Sequence, residues 1–86
     1  MATTVLTLYG RDGCHLCEQA RTEIEALAAE LGGIELLEID IDSDDRLLAA
    51  YLERIPVVEI GDRVISELVL DPVALREALE LHTVGP

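Results

Sequence analysis

Cys14 and Cys17 are the only thiols of this chain, and they stand three positions apart. On a helix that step brings two sulfurs close enough to bond. Such a pair serves redox exchange, metal or iron–sulfur ligation, or an inert structural bridge. Gly10-Arg11-Asp12-Gly13 reads as a turn between a strand and a helix, which puts Cys14 at the helix N-terminus. Unpaired backbone N–H groups and the positive end of the helix dipole favour thiolate over thiol there, and the thiolate is the nucleophile. Arg11, three residues earlier, and His15, when protonated, add positive charge nearby. A Cys14 pKa below that of a free cysteine is therefore expected. At about 100° per residue, Cys17 falls near the edge of the apolar helix stripe and Cys14 well outside it. Cys14 is expected to be exposed and to attack, and Cys17 to be shielded and to resolve, which is the division that thiol–disulfide exchange needs.

The other chemistry-bearing residues lead elsewhere only weakly. A structural zinc site normally takes four ligands, and Cys14, Cys17, His15 and the remote His82 are the candidates. An intermolecular cluster stays open. His15 is read as an exposed residue that tunes Cys14, and His82 as a last-turn residue suited to the helix dipole. The acidic run Asp40 to Asp45 lacks the sixth-position Gly and twelfth-position Glu of a calcium loop. Ile55-Pro56 opens a strand. A trans proline is common at a strand start, yet an X–Pro bond is the one that can be cis at modest cost. A cis bond would turn the Ile55 backbone outward, where it could pair with an extended substrate.

These residues must be held by a scaffold, and the pattern supplies one. Alternation predicts a strand over Val5 to Tyr9. A helix follows from about Cys14 to Leu31, with Leu16, Ala20, Ile24, Leu27 and Leu31 on one stripe, and Gly32-Gly33 ends it. The second strand, Ile34 to about Ile41, is expected to be largely buried. Asp42 or Ser43 is expected to cap a short helix carrying Leu47, Leu48, Tyr51 and Leu52 inward. Val57 to Ile60 and Arg63 to about Ser66 form a hairpin across Gly61-Asp62, and Asp71-Pro72 starts the last helix, to about His82. The order βαβαββα implies an α/β fold: a right-handed parallel crossover and a hairpin in one mixed four-stranded sheet flanked by helices.

Composition bounds the rest. The 86 residues make a single domain, 1–86. The chain is half apolar with two Tyr and neither Phe nor Trp, so its core must be aliphatic. Its net charge is −12, and all six cations are Arg. That surface repels phosphate and anionic lipid, so neither nucleic acid nor membrane is an expected partner. Without Lys there is no phosphate loop of the Gly-Lys-Ser type and no Schiff-base chemistry. No apolar run approaches a membrane span, and Met1-Ala2-Thr3-Thr4 has no signal-peptide pattern. A cytoplasmic location is expected, where a pair of cysteines more often means redox or metal chemistry than a structural bridge.

With these residues placed, the chain resembles a glutaredoxin of the thioredoxin superfamily over about Val5 to Leu81. Tyr9 lies five residues before Cys14, as the strand-end Tyr does in that family. Arg11 sits where the family usually has Lys, Cys14-His15-Leu16-Cys17 replaces Cys-Pro-Tyr-Cys, and Arg54-Ile55-Pro56 replaces Thr-Val-Pro. The resemblance implies a thioredoxin-like fold, a nucleophilic Cys14, a resolving Cys17, and a cis proline at Pro56 that presents the substrate with Ile55. It implies a small thiol–disulfide oxidoreductase without a tightly bound cofactor, expected to be a monomer. Its partners would be a disulfide-containing protein or a glutathione mixed disulfide, with glutathione or a reductase as electron donor. An iron–sulfur or metal carrier and a non-catalytic interaction module are the rival readings. The chain departs from the family after the hairpin, where Ser66-Glu67-Leu68-Val69 replaces the Gly-Gly and small or acidic pair that hold the γ-glutamyl end of glutathione. Glu67 is expected to meet that anionic peptide unfavourably.

Overall fold

Leu6 and Leu8, alternating with Val5, Thr7 and Tyr9, form the central strand of the computed structural model, which describes residues 3–83, with side chains through residue 80. This strand, β1 (Thr4–Gly10), leads into α1 (His15–Leu31) and then β2 (Ile34–Asp40). A single 3₁₀ turn (Ile41–Ser43) precedes α2 (Asp45–Tyr51), followed by β3 (Val57–Ile60), β4 (Arg63–Glu67) and α3 (Pro72–Thr83). The sheet order is β2-β1-β3-β4. β1 pairs in parallel with β2, from Thr4↔Ile34 to Gly10↔Asp40, and antiparallel with β3, from Leu6↔Ile60 to Tyr9↔Val57. β3 and β4 pair antiparallel, with an irregularity between Val58 and Glu59.

Leu6, Leu8, Val58 and Ile60 bury one sheet face against Ala20 and Ile24 of α1 and Leu75 and Leu79 of α3. Burying each large side chain of this cluster is worth about 1.5–3 kcal/mol. Asp71 caps α3, accepting the backbone N–H of Val73 and of Ala74, both at 3.1 Å. Gly32 adopts φ 72°, open to glycine at little cost, and its N–H closes α1 on the Ala28 carbonyl at 2.8 Å.

Several expectations are corrected. β2 is an edge strand rather than a buried one, and Leu37 is 48% exposed. Both neighbours of β1 are taken, by the crossover on one side and β3 on the other, and Glu35, Glu38 and Asp40 guard the free edge. Leu16 is exposed because Cys17, about 100° further round the helix, takes the inward place in the first turn. α2 is capped by Asp44, whose carboxylate accepts from Arg46 N–H, while Asp40 caps the 3₁₀ turn before it. No residue of α2 is fully buried, and Leu52, just beyond it, is 45% exposed. The His82 side chain lies outside the described residues.

Candidate active site

Gly13, at φ 79°, lets the turn after β1 close, and the Cys14 N–H donates to the Arg11 carbonyl at 3.2 Å. Cys14 is thereby the N-cap of α1. Its backbone is extended, its carbonyl accepts from Glu18 N–H at 3.1 Å, and its Sγ accepts from Cys17 N–H at 3.2 Å. A sulfur in this position occupies the place of a capping oxygen, facing a donor that otherwise has no partner. Cys14 and Cys17 are joined as a disulfide, with their Cα atoms 5.2 Å apart. Cys17 is buried at 7% exposure, while Cys14 is half-buried. Gly10, at the end of β1, is the surface on which Cys17 rests. A Cβ there would stand 3.1 Å from both Cβ and Sγ of Cys17. A cleft of about 420 Å³ opens beside this contact, lined by Gly10, Cys17, Arg11, Arg21, Glu38 and Asp40 among others.

The sequence-identified residues separate into two groups. Tyr9, Ile55 and Pro56 share the sheet end that bears the cysteines, because Tyr9 pairs with Val57 and Gly10 meets Cys17. The Ile55–Pro56 bond is cis and Pro56 is buried. The Tyr51 carbonyl accepts both Arg54 N–H (2.8 Å) and Ile55 N–H (3.0 Å), tying the proline to the end of α2. Arg11 turns to Asp42, with contacts of 3.2 and 3.3 Å, so its charge is shared with a carboxylate. The His15 side chain is 81% exposed, its Nδ1 3.9 Å from the Glu18 carboxylate.

Glu67 is not a loose negative charge. Arg54 grips both of its oxygens, at 2.9 and 2.8 Å, and Arg54 also lies over the Tyr51 ring, 5.0 Å from its centre. The hydrogen bonds from Arg54 hold the Glu67 carboxyl below the usual carboxylate range. Leu68, which follows it, has φ 66° and donates its N–H to the Arg54 carbonyl at 2.9 Å. Sequence reasoning missed Gly10 as a packing surface and Glu59 altogether. It took Tyr51 only as an inward helix residue. The rings of Tyr9 and Tyr51 stack with centroids 4.6 Å apart, and their hydroxyls donate to the two Glu59 oxygens at 3.2 and 3.3 Å. The available signal was that these are the chain's only two tyrosines, in a sequence with neither Phe nor Trp.

A mixed four-stranded sheet with a Cys-X-X-Cys pair at its first strand-to-helix junction and a cis proline at the start of β3 defines a thioredoxin-fold, glutaredoxin-like protein. The family model of the Glutaredoxin-like domain (DUF836) matches residues 5–82, and the chain belongs to that family. Among solved structures, it is similar to protein Ne2328 from Nitrosomonas europaea, at 30% identity and TM-score 0.78, over 91% of this chain and 93% of that one. It is also similar to protein XcR50 from X. campestris, at 35% identity and TM-score 0.69, over 94% and 99%. A mutant thioredoxin from Halobacterium salinarum NRC-1 matches at 28% identity and TM-score 0.65, over 99% and 80%. No curated protein matches the chain. No helix among the described residues is long and apolar enough to cross a membrane.

Proposed function

We propose that this protein is a cytoplasmic thiol–disulfide oxidoreductase acting on disulfide-containing proteins. The observation that carries the reading is the placement of Cys14 Sγ as the N-cap of a 17-residue helix, 3.2 Å from the Cys17 N–H. The donor and the dipole both favour the thiolate. In the reduced protein, Cys14 thiolate attacks one sulfur of a substrate disulfide. That S–S bond breaks, and the other substrate sulfur leaves as a thiolate and takes a proton from water. Cys17 then loses its proton to solvent and attacks Cys14 Sγ. The mixed disulfide breaks, and the second substrate sulfur leaves. Two electrons have passed to the substrate, and the Cys14–Cys17 disulfide is the oxidised end state. Glutathione or a reductase returns the pair to dithiol.

The difference in burial supports the division of roles, since an approaching disulfide meets Cys14 before Cys17. Ile55-Pro56 flanks the cysteines as the substrate-facing segment. Its amide is held by Tyr51, so the Ile55 carbonyl is the group offered to an extended chain. The test is an equilibrium redox titration of metal-free protein, read by alkylation and intact mass. A midpoint between about −280 and −150 mV places the pair among exchange-active dithiols, whereas a pair oxidised below about −300 mV is structural. Cys14→Ser abolishes disulfide reduction in this reading, and Cys17→Ser accumulates the mixed disulfide. Full activity in Cys14→Ser would refute the assignment.

A further inference from the structure

The two halves of the site meet at one carboxylate. Glu59, on the sheet face opposite the aliphatic core, accepts the Tyr9 hydroxyl on Oε1 (3.2 Å) and the Tyr51 hydroxyl on Oε2 (3.3 Å). Tyr9 precedes Gly10, the residue packed on Cys17. Tyr51 ends α2, and its carbonyl takes the amides of both Arg54 and Ile55. α2 has no fully buried residue to fix it by apolar packing. The stacked tyrosines and their shared acceptor join its C-terminal end to the sheet. From the far side, Arg54 is held over Tyr51 and clamped to Glu67, and its carbonyl is held by Leu68 N–H.

We propose that Glu59 is a positioning residue that sets the Ile55-Pro56 segment against the Cys14–Cys17 pair and so determines how well an extended protein substrate is held. The proposal rests on the oxidoreductase reading and adds to it the residue on which discrimination between protein and small-molecule disulfides depends. Glu59 touches no reacting atom. Its effect passes through Tyr51 to Ile55, and a small disulfide that needs only Cys14 does not feel it. The raised Tyr9 pKa, caused first by burial and then by the Glu59 charge, accords with a phenol hydrogen held on that carboxylate.

The experiment compares Glu59→Val, which keeps a strand-forming side chain and removes both acceptor oxygens, with Glu59→Gln, which keeps an acceptor and adds a donor. Each is assayed on insulin disulfides and on bis(2-hydroxyethyl) disulfide. Hydrogen bonds to a charged group support an expected rise of about ten-fold in KM for insulin in Glu59→Val. kcat and the small-disulfide rate stay within about two-fold, and Glu59→Gln recovers most of the loss. Equal losses on both substrates, or no change on either, would overturn the proposal. If Glu59→Val does not fold, Tyr51→Phe is read in the same way. If the unmodified protein reduces neither disulfide, the oxidoreductase reading has failed on its own account. The positioning is then read from hydrogen exchange at the Ile55 amide, where about ten-fold faster exchange in Tyr51→Phe supports it and unchanged protection overturns it.

Discussion

Replacing Gly10 with alanine adds one methyl group to β1 and directs it at Cys17. The new Cβ would stand 3.1 Å from the Cβ and Sγ of that residue. Non-bonded carbon atoms settle at about 3.5–4.0 Å, so the contact is short by about half an ångström. Gly10 does not have a positive φ, so the backbone accepts alanine and the strain falls on the contact. Overpacking of this kind costs about 1–3 kcal/mol, and each kcal/mol lowers Tm by about 4–8 °C in a domain of this size. The kinetic effect should be selective. A misplacement of 1 Å can cost about a hundred-fold in rate, so half that displacement predicts about ten-fold slower attack by Cys17 on the mixed disulfide. Cys14, held by the helix cap rather than by Gly10, keeps its reactivity. The assay follows Cys14 alkylation by rapid mixing and the lifetime of the mixed disulfide by acid quench and intact mass. Mixed-disulfide decay at the unmodified rate would refute the argument that the Gly10 contact places the resolving sulfur. Equal slowing of Cys14 alkylation would refute the separation of roles.

Three further outcomes follow from the charges and the tyrosines. Arg54 lowers the Glu67 carboxyl below its ordinary value of 4.5, so this pair's contribution to stability is present above that pH and is lost as pH falls through the lowered value. Glu67→Gln should flatten the acid limb of a denaturation series without changing the neutral plateau beyond the small effect of an exposed ion pair. The Tyr9 phenol, raised by burial and by Glu59, should ionise above its ordinary 10.0 in an ultraviolet absorbance titration, and Glu59→Val should lower it part of the way, leaving the share due to burial. With no Trp in the chain, that spectrum reports the two tyrosines alone. Because the net charge is −12, with Arg11 and Arg54 both engaged by carboxylates, cystamine, a cationic disulfide, should react faster than anionic glutathione disulfide at low salt. A gap of about ten-fold is expected. It should shrink when the Debye length falls to about 8 Å at physiological ionic strength, and a gap that does not depend on salt would locate the preference in contacts rather than charge.

What could be read from the sequence was whatever a few neighbouring residues decide. The βαβαββα order follows from alternation, caps and glycines, each acting over one turn or one strand, and the structure has that order with one 3₁₀ turn added before α2. The helix-terminal Cys14 is legible for the same reason, because a Gly-ended turn followed by an apolar stripe is local. The place of β2 in the sheet is not local. Ile34-Glu35-Leu36-Leu37-Glu38-Ile39 carries enough apolar residues to suit a buried strand, and only the arrival of β3 on the other side of β1 leaves it at the edge. Leu16 misled through phase, since a stripe drawn by period alone cannot tell which of two adjacent positions the first turn buries. Glu59 is the extreme case. In Val57-Val58-Glu59-Ile60 it reads as an ordinary solvent-facing position of a strand. Its meaning comes from Tyr9, 50 residues before it, and Tyr51, eight before it on another element. A carboxylate serving two phenols has no sequence signature, because neither hydroxyl constrains the residues beside it. The chemistry of the site is thus written locally at Cys14, while the support that would aim a substrate at it exists only once three separate elements have come together.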